Sequence, residues 1–139
     1  MILVDTNVVS ETMRSAPEPS VVAWLDAQAA ETLYLSTVSL AELLFGVAAL
    51  PEGRRKVALG LALVEKAALL FGERILPFDV PAAKIYAEVM SRARQAGRAV
   101  GVADGQIAAI AATHGLVVAT CDRGPFEAAG VEIVDPWAR

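Results

Sequence analysis

The chain has 139 residues, enough for one ordinary domain with its own core, and 55% are hydrophobic against 20% charged, which excludes a disordered chain. The net charge of −4 argues against a general nucleic-acid coat protein, and a single cysteine, Cys121, excludes an internal disulfide. The longest apolar stretch, Val57 to Phe71, carries Glu65 and Lys66 and is too short to span a membrane; with no signal-peptide pattern at Met1 to Val4, a cytoplasmic location is the default expectation.

Ile2 to Val4 is a short apolar run that reads as a buried strand, and Thr6 to Arg14 follows at helical spacing. Ser15 to Pro19 is a turn. Ser20 is expected to cap a helix with Val21, Val22, Trp24 and Leu25 on its apolar face. Leu33-Tyr34-Leu35 reads as the second strand, and Val38 to Leu50 as a helix with Leu40, Leu43, Leu44 and Val47 inward. Pro51-Glu52-Gly53 breaks it. Arg54 to Phe71 is a long helix, apolar on most sides, read as core plus partner-binding surface. Ile75 to Phe78 is a short strand whose Pro77 places it at an edge. Pro81 suits the first turn of a helix through Gln95, stopped by Gly97; Val102 to Thr113 is the next, stopped by Gly115. Leu116 to Thr120 and Val131 to Val134 complete the strands. Strands alternate with helices throughout, which predicts one α/β domain: a three-layer α/β/α sandwich with a central, mainly parallel sheet. Glycine-rich phosphate-cradling motifs are absent from the sequence, which argues against nucleotide-cofactor binding.

Four carboxylates fall at strand–helix junctions: Asp5, Glu42, Asp104 and Asp122. In a parallel sheet ligands bind beyond the carboxyl ends of the strands. Asp5 and Asp122 follow strands, Glu42 lies early in a helix that leaves a strand, and Asp104 starts a helix running back antiparallel to the strand it feeds. All four therefore share one edge. At ~4 Å and an effective dielectric of about 20, each like-charge pair costs on the order of 4 kcal/mol. A hard divalent cation such as Mg²⁺ or Mn²⁺ would offset that cost, because the donors are all oxygen. Each acid also has a structural reading: Asp5 as a cap, Glu42 in a capping box with Ser39, Asp104 at a helix start, and Asp122 in a turn. Thr6, Asn7, Ser39 and Thr120 stand beside the acids, fit to hold carboxylates, touch a phosphate or cap a helix.

Arg54, Arg55 and Lys56 form one basic cluster and Arg92, Arg94 and Arg98 another, readable as solvated helix faces or as a rim steering phosphate. His114 reads as a helix-end residue, Cys121 as a small buried thiol, and Trp24 and Trp137 as packing residues rather than base-stacking platforms.

Ile2-Leu3-Val4-Asp5-Thr6-Asn7, Ser36-Thr37-Val38-Ser39-Leu40-Ala41-Glu42-Leu43, Ala103-Asp104-Gly105-Gln106-Ile107-Ala108-Ala109 and Ala119-Thr120-Cys121-Asp122 resemble, in order, the motifs of PIN-domain ribonucleases. The resemblance is nearest to VapC-type toxins of toxin–antitoxin pairs, in their FitB-like branch, and extends to Val134-Asp135-Pro136-Trp137. It implies a PIN fold and Mg²⁺- or Mn²⁺-dependent endoribonuclease activity on RNA. Asp5, Glu42, Asp104 and Asp122 match the family's acidic residues and Thr120 its hydroxyl; Asp5, Asp104 and Asp122 would hold metal. The resemblance further implies a homodimer and a VapB/FitA-like DNA-binding antitoxin, through which DNA would be contacted only indirectly. The family often has Arg at the position of Cys121; Arg123 beside it is the candidate to replace that charge. Two rivals stand beside the enzyme: a non-catalytic PIN-like protein-binding module, and an aspartyl-nucleophile phosphatase, ranked last because Asn7 occupies the position of its second Asp.

Overall fold

The computed structural model describes residues 1–138. The elements run β1 (Ile2–Val4), α1 (Thr6–Thr12), α2 (Pro19–Asp26), a short 3₁₀ turn (Ala30–Thr32), β2 (Leu33–Ser36), α3 (Thr37–Ala48), α4 (Arg54–Leu70), β3 (Ile75–Leu76), α5 (Val80–Gln95), α6 (Val102–His114), β4 (Val117–Ala119), α7 (Arg123–Ala128) and β5 (Ile133–Val134). The strands form one parallel sheet in the order β3-β2-β1-β4-β5. The expected edge position of β3 is what the sheet shows.

Side chains alternate across the strands, so the inner strands bury both faces. Leu3 of β1 and Val118 of β4 point into one core, with Val89 of α5, Ile107 and Ile110 of α6 and Phe126 of α7. Val4 and Ala119 point the other way, against Val8 and Val9 of α1, Leu43 of α3, Leu63 of α4 and Phe71. The sheet is thus sandwiched between two helical layers, as the alternating pattern predicts.

Local chemistry sets the helix starts, and several differ from expectation. The α2 helix begins one residue before Ser20, at Pro19, because proline's fixed φ is already helical and its missing N–H costs nothing there. Ser36 caps α3, accepting from the Ser39 N–H at 2.9 Å. The Ser39–Glu42 capping box therefore does not form. The α7 helix falls where no element was expected from the sequence; Pro125 sits in the first turn, where it is tolerated, and Phe126 is fully buried. The left-handed Gly115 (φ 65°) closes α6 as predicted. Close packing seats the other end of α6: a Cβ on Gly105 would lie 2.7 Å from Met90 Sδ and 3.0 Å from Tyr86 Cε2 on α5. That fixes where the neighbouring Asp104 stands.

Candidate active site

The carboxyl ends of β1 and β4 lie side by side, tied by the Asp5 N–H donating to Ala119 O at 2.9 Å. Asp5 leaves β1 there and caps α1, accepting from the Thr6 N–H at 2.8 Å. Its cap role and its place in the site are therefore the same geometry. A cleft of about 580 Å³ opens at this edge, lined by Asp5, Thr6, Asn7, Ser10, Glu11, Arg14, Glu42, Asp104, Cys121, Asp122 and Trp137. The four acids singled out from the sequence all line it. Among the described residues, however, no group of three or more His, Cys, Asp or Glu is already gathered as a metal-holding set. The acids share a cleft without closing on one point.

The innermost acid is Asp5, 4% exposed. A network of short polar groups holds it. The Thr120 hydroxyl donates to Asp5 Oδ2 at 2.8 Å, and its oxygen accepts from Asn7 Nδ2 at 3.1 Å and from the Asp122 N–H at 3.0 Å. A hydroxyl has one proton and two lone pairs. With both lone pairs engaged by N–H donors, the proton is directed at Asp5. Asn7 Nδ2 also donates to Asp5 Oδ2 at 3.3 Å. The Thr6 hydroxyl donates to Glu42 Oε1 at 2.8 Å, bridging α1 and α3.

Burial pushes the Asp5 carboxyl up to about 6, against the opposing pull of the Thr120 and Thr6 hydrogen bonds, with Asp104 and Glu42 adding repulsion. Asp104 is raised too, first by burial, then by the charges of Asp122 and Glu42. Among the described residues no Lys or Arg forms an ion pair with any of the four. Anionic oxygens, the raised carboxyls of Asp5 and Asp104 and, among the described residues, no ion-paired Lys or Arg on the four acids fit a hard divalent cation better than a structural ion-pair network.

Several sequence expectations are corrected here. Ser39 is fully buried and its Oγ has no partner among the described residues, so it holds neither a carboxylate nor a phosphate. Cys121 is exposed in the cleft rather than buried, and partial desolvation raises its thiol, which disfavours the thiolate. Trp137 lines the cleft as well as packing against the core; Trp24 only packs.

Of the basic residues singled out from the sequence, none is among those lining the acidic cleft. Arg54 is exposed at the start of α4, Lys56 pairs with Glu52 at 2.6 Å, and Arg123 pairs with Glu127 at 3.1 Å. Arg55 lines an adjoining groove between α1, α3 and α4, which shares Ser10, Arg14 and Glu42 with the cleft. Arg94 and Arg98 line a separate cavity, and Arg92 another beside Gly115 and Leu116.

Three cleft residues escaped the sequence reading, Ser10, Glu11 and Arg14. Glu11 is buried, accepting from Arg14 Nη1 at 3.2 Å and from the Glu18 N–H at 3.1 Å. The i,i+3 spacing of Glu11 and Arg14 was the available signal. The pair ties the end of α1 to the start of α2. Glu11→Ala is expected to cost about 1–3 kcal/mol by removing the acceptor of the Glu18 N–H, read as a lowered urea midpoint at unchanged m-value.

A model described as "PIN domain" matches residues 2–131. VapC ribonuclease Y4jK of Sinorhizobium fredii is 48% identical over 137 residues, covering 99% of this chain and 98% of the relative. Toxin FitB of Neisseria gonorrhoeae is 50% identical over 137 residues, covering 99% of each. The solved structure of FitAB bound to the IR36 DNA fragment superposes with a TM-score of 0.95 at 47% identity, covering 100% of this chain and 97% of that one. The chain belongs to the PIN-domain family, a family of nucleases. Within that family it falls with the VapC- and FitB-type toxins of toxin–antitoxin systems.

Proposed function

We propose that the protein is a divalent-metal-dependent endoribonuclease, the toxin of a type II toxin–antitoxin pair. The observation that carries the reading is the single cleft lined by Asp5, Glu42, Asp104 and Asp122 with, among the described residues, no Lys or Arg paired to any of them. Asp5 and Asp104 would hold Mg²⁺ or Mn²⁺, with Asp122 reaching it directly or through water. When bound, the ion supplies Lewis acidity and neutralises phosphate charge. Glu42, its Oε1 held by the Thr6 hydroxyl, would orient an attacking water and take its proton. Thr120 and Asn7 fix the Asp5 carboxylate so that its orientation is set before substrate arrives. Water is added across a P–O bond by in-line displacement, and the family pattern implies a 3′-hydroxyl and a 5′-phosphate at the cut.

The partner half of the reading rests on surface chemistry. On α4, Leu63 and Ala67 are buried while Val57, Leu61, Val64 and Leu69 are more than 60% exposed; on α3, Phe45 is 72% exposed. So much uncovered apolar surface fits a protein partner, here a second copy and a FitA/VapB-like antitoxin, with DNA contacted by the antitoxin. No helix among the described residues is long and apolar enough to cross a membrane, and RNA as substrate accords with a cytoplasmic site of action.

The test is purified protein, free of antitoxin, offered single-stranded RNA with Mg²⁺ or Mn²⁺. Cleavage by the parent and its loss in Asp104→Asn support the reading; equal rates for the two sink it. The apolar face also favours a second reading, a non-catalytic binding module. Calorimetry with Mn²⁺ separates them, since such a module has no need to take up the ion in the cleft.

A further inference from the structure

We propose that Trp137 is the base-stacking platform of the cleft, a specificity residue that holds the nucleobase beside the phosphate being cut. The inference rests on the ribonuclease reading and extends it to substrate contact. Among the described residues the cleft walls carry five acids, Asp5, Glu11, Glu42, Asp104 and Asp122, and, of the cations, Arg14 alone, itself paired with Glu11. The whole chain carries a net charge of −4. Backbone neutralisation, the usual source of nucleic-acid affinity, is therefore poorly supplied at the point where the strand must sit. Every base nevertheless offers a π face, and stacking needs no charge.

Trp137 is the single aromatic side chain among the residues lining this cleft. One part of it packs against the core beneath the sheet, so the ring is anchored rather than loose. Its backbone N–H donates to Asp135 Oδ1 at 2.9 Å, and the preceding Pro136 is buried, which fixes the turn that presents it. The indole N–H finds no hydrogen-bond partner among the described residues, leaving it to a base edge or sugar oxygen. A tryptophan present only to fill the core would gain nothing from lining an acidic cleft. Trp137 lines the cleft together with Asp5, Asp122 and Cys121, beside the acids at which the ribonuclease reading puts the reactive phosphate.

The test uses the full chain, a single-stranded oligoribonucleotide cut at one mapped bond, and the same oligonucleotide carrying an abasic residue at each flanking position in turn. For the parent, removing one particular base is expected to raise KM about tenfold to a hundredfold and to change kcat little. Trp137→Leu should raise KM for the intact oligonucleotide by a similar factor and erase the abasic penalty, and Trp137→Phe should restore most of both. A merely structural role would lower kcat or folded fraction and leave the abasic penalty unchanged in the leucine variant, which would overturn the proposal. Should that variant fail to fold, the abasic series on the parent and on Trp137→Phe still decides, because no penalty at any flanking position also overturns it. A parent that cuts RNA without base dependence removes the stacking role alone; a parent that cuts no RNA with either ion removes the ribonuclease reading and this inference together.

Discussion

Replacing Asp5 by Asn is expected to lower RNA cleavage on the order of 10³-fold and, at the same time, to make the metal-free protein more stable at pH 8. The first effect follows from losing an anionic ligand where several kcal/mol of transition-state charge stabilisation would originate. The second follows from the raised carboxyl. Below pH 3.8 Asp5 is protonated in both the folded and the unfolded chain, and burying it is free of charge penalty. As pH rises towards about 6, the unfolded chain ionises while the fold still holds the proton, so stability falls; above that value the loss is complete. The shift corresponds to a loss on the order of 3 kcal/mol. Asparagine stays neutral and escapes it. Its single carbonyl oxygen cannot serve both the Thr120 hydroxyl and the Thr6 N–H, so about 1 kcal/mol is given back. The net gain at pH 8 in EDTA is expected to be about 1–2 kcal/mol, vanishing or reversing at pH 4. Urea denaturation at the two pH values reads it out. A parent–variant difference that does not change with pH would show that Asp5 carries no charge penalty. Added Mn²⁺ should stabilise the parent and leave the variant unmoved.

The placement of these acids was legible before the structure because it depends on topology rather than on side-chain detail. Once Ile2–Val4 and Val117–Ala119 are parallel neighbours, Asp5 and Asp122 must emerge at the same edge. A helix returning to β4 must also begin there, which brings Asp104. Convergence onto a common point was not legible, since it needs ångström-scale rotamers and, on the cation reading, the ion itself to draw the carboxylates together. Some elements needed the fold itself. Between Asp122 and Val131 no helix was expected, yet complete burial of Phe126 favours α7. Ser39 and Ser36 are both plausible caps in one motif; only the end of β2 decides that Ser36 takes the role and that Ser39 is enclosed. Trp137 packs against the core as expected, and only the fold reveals that the residue also lines the cleft. The basic residues were grouped by proximity in sequence, whereas α4 and α5 carry them to separate surfaces.

Thr120→Val isolates the contribution of orientation from that of charge, because it keeps all four carboxylates and nearly the same volume. It removes the hydroxyl proton from Asp5 Oδ2 and the acceptor used by Asn7 and by the Asp122 N–H. The Thr120 hydrogen bond is what most opposes the effect of burial on Asp5, so its loss lifts that carboxyl beyond about 6. The proton then competes harder with a cation for the same oxygens. Mn²⁺ affinity and cleavage are expected to fall about 10–100-fold at pH 6.5. The deficit should narrow at pH 8, where proton competition fades and only misorientation remains. Stability in EDTA should drop by about 1 kcal/mol, the low end for lost acceptors, because Asn7 and Asp122 lie where water can replace the missing oxygen. Thr120→Ser retains the hydroxyl and should recover most of the affinity at both pH values. If valine and serine behave alike, the hydroxyl is not what aims Asp5; a deficit of equal size at pH 6.5 and pH 8 would mean instead that misorientation alone, without proton competition, accounts for the loss.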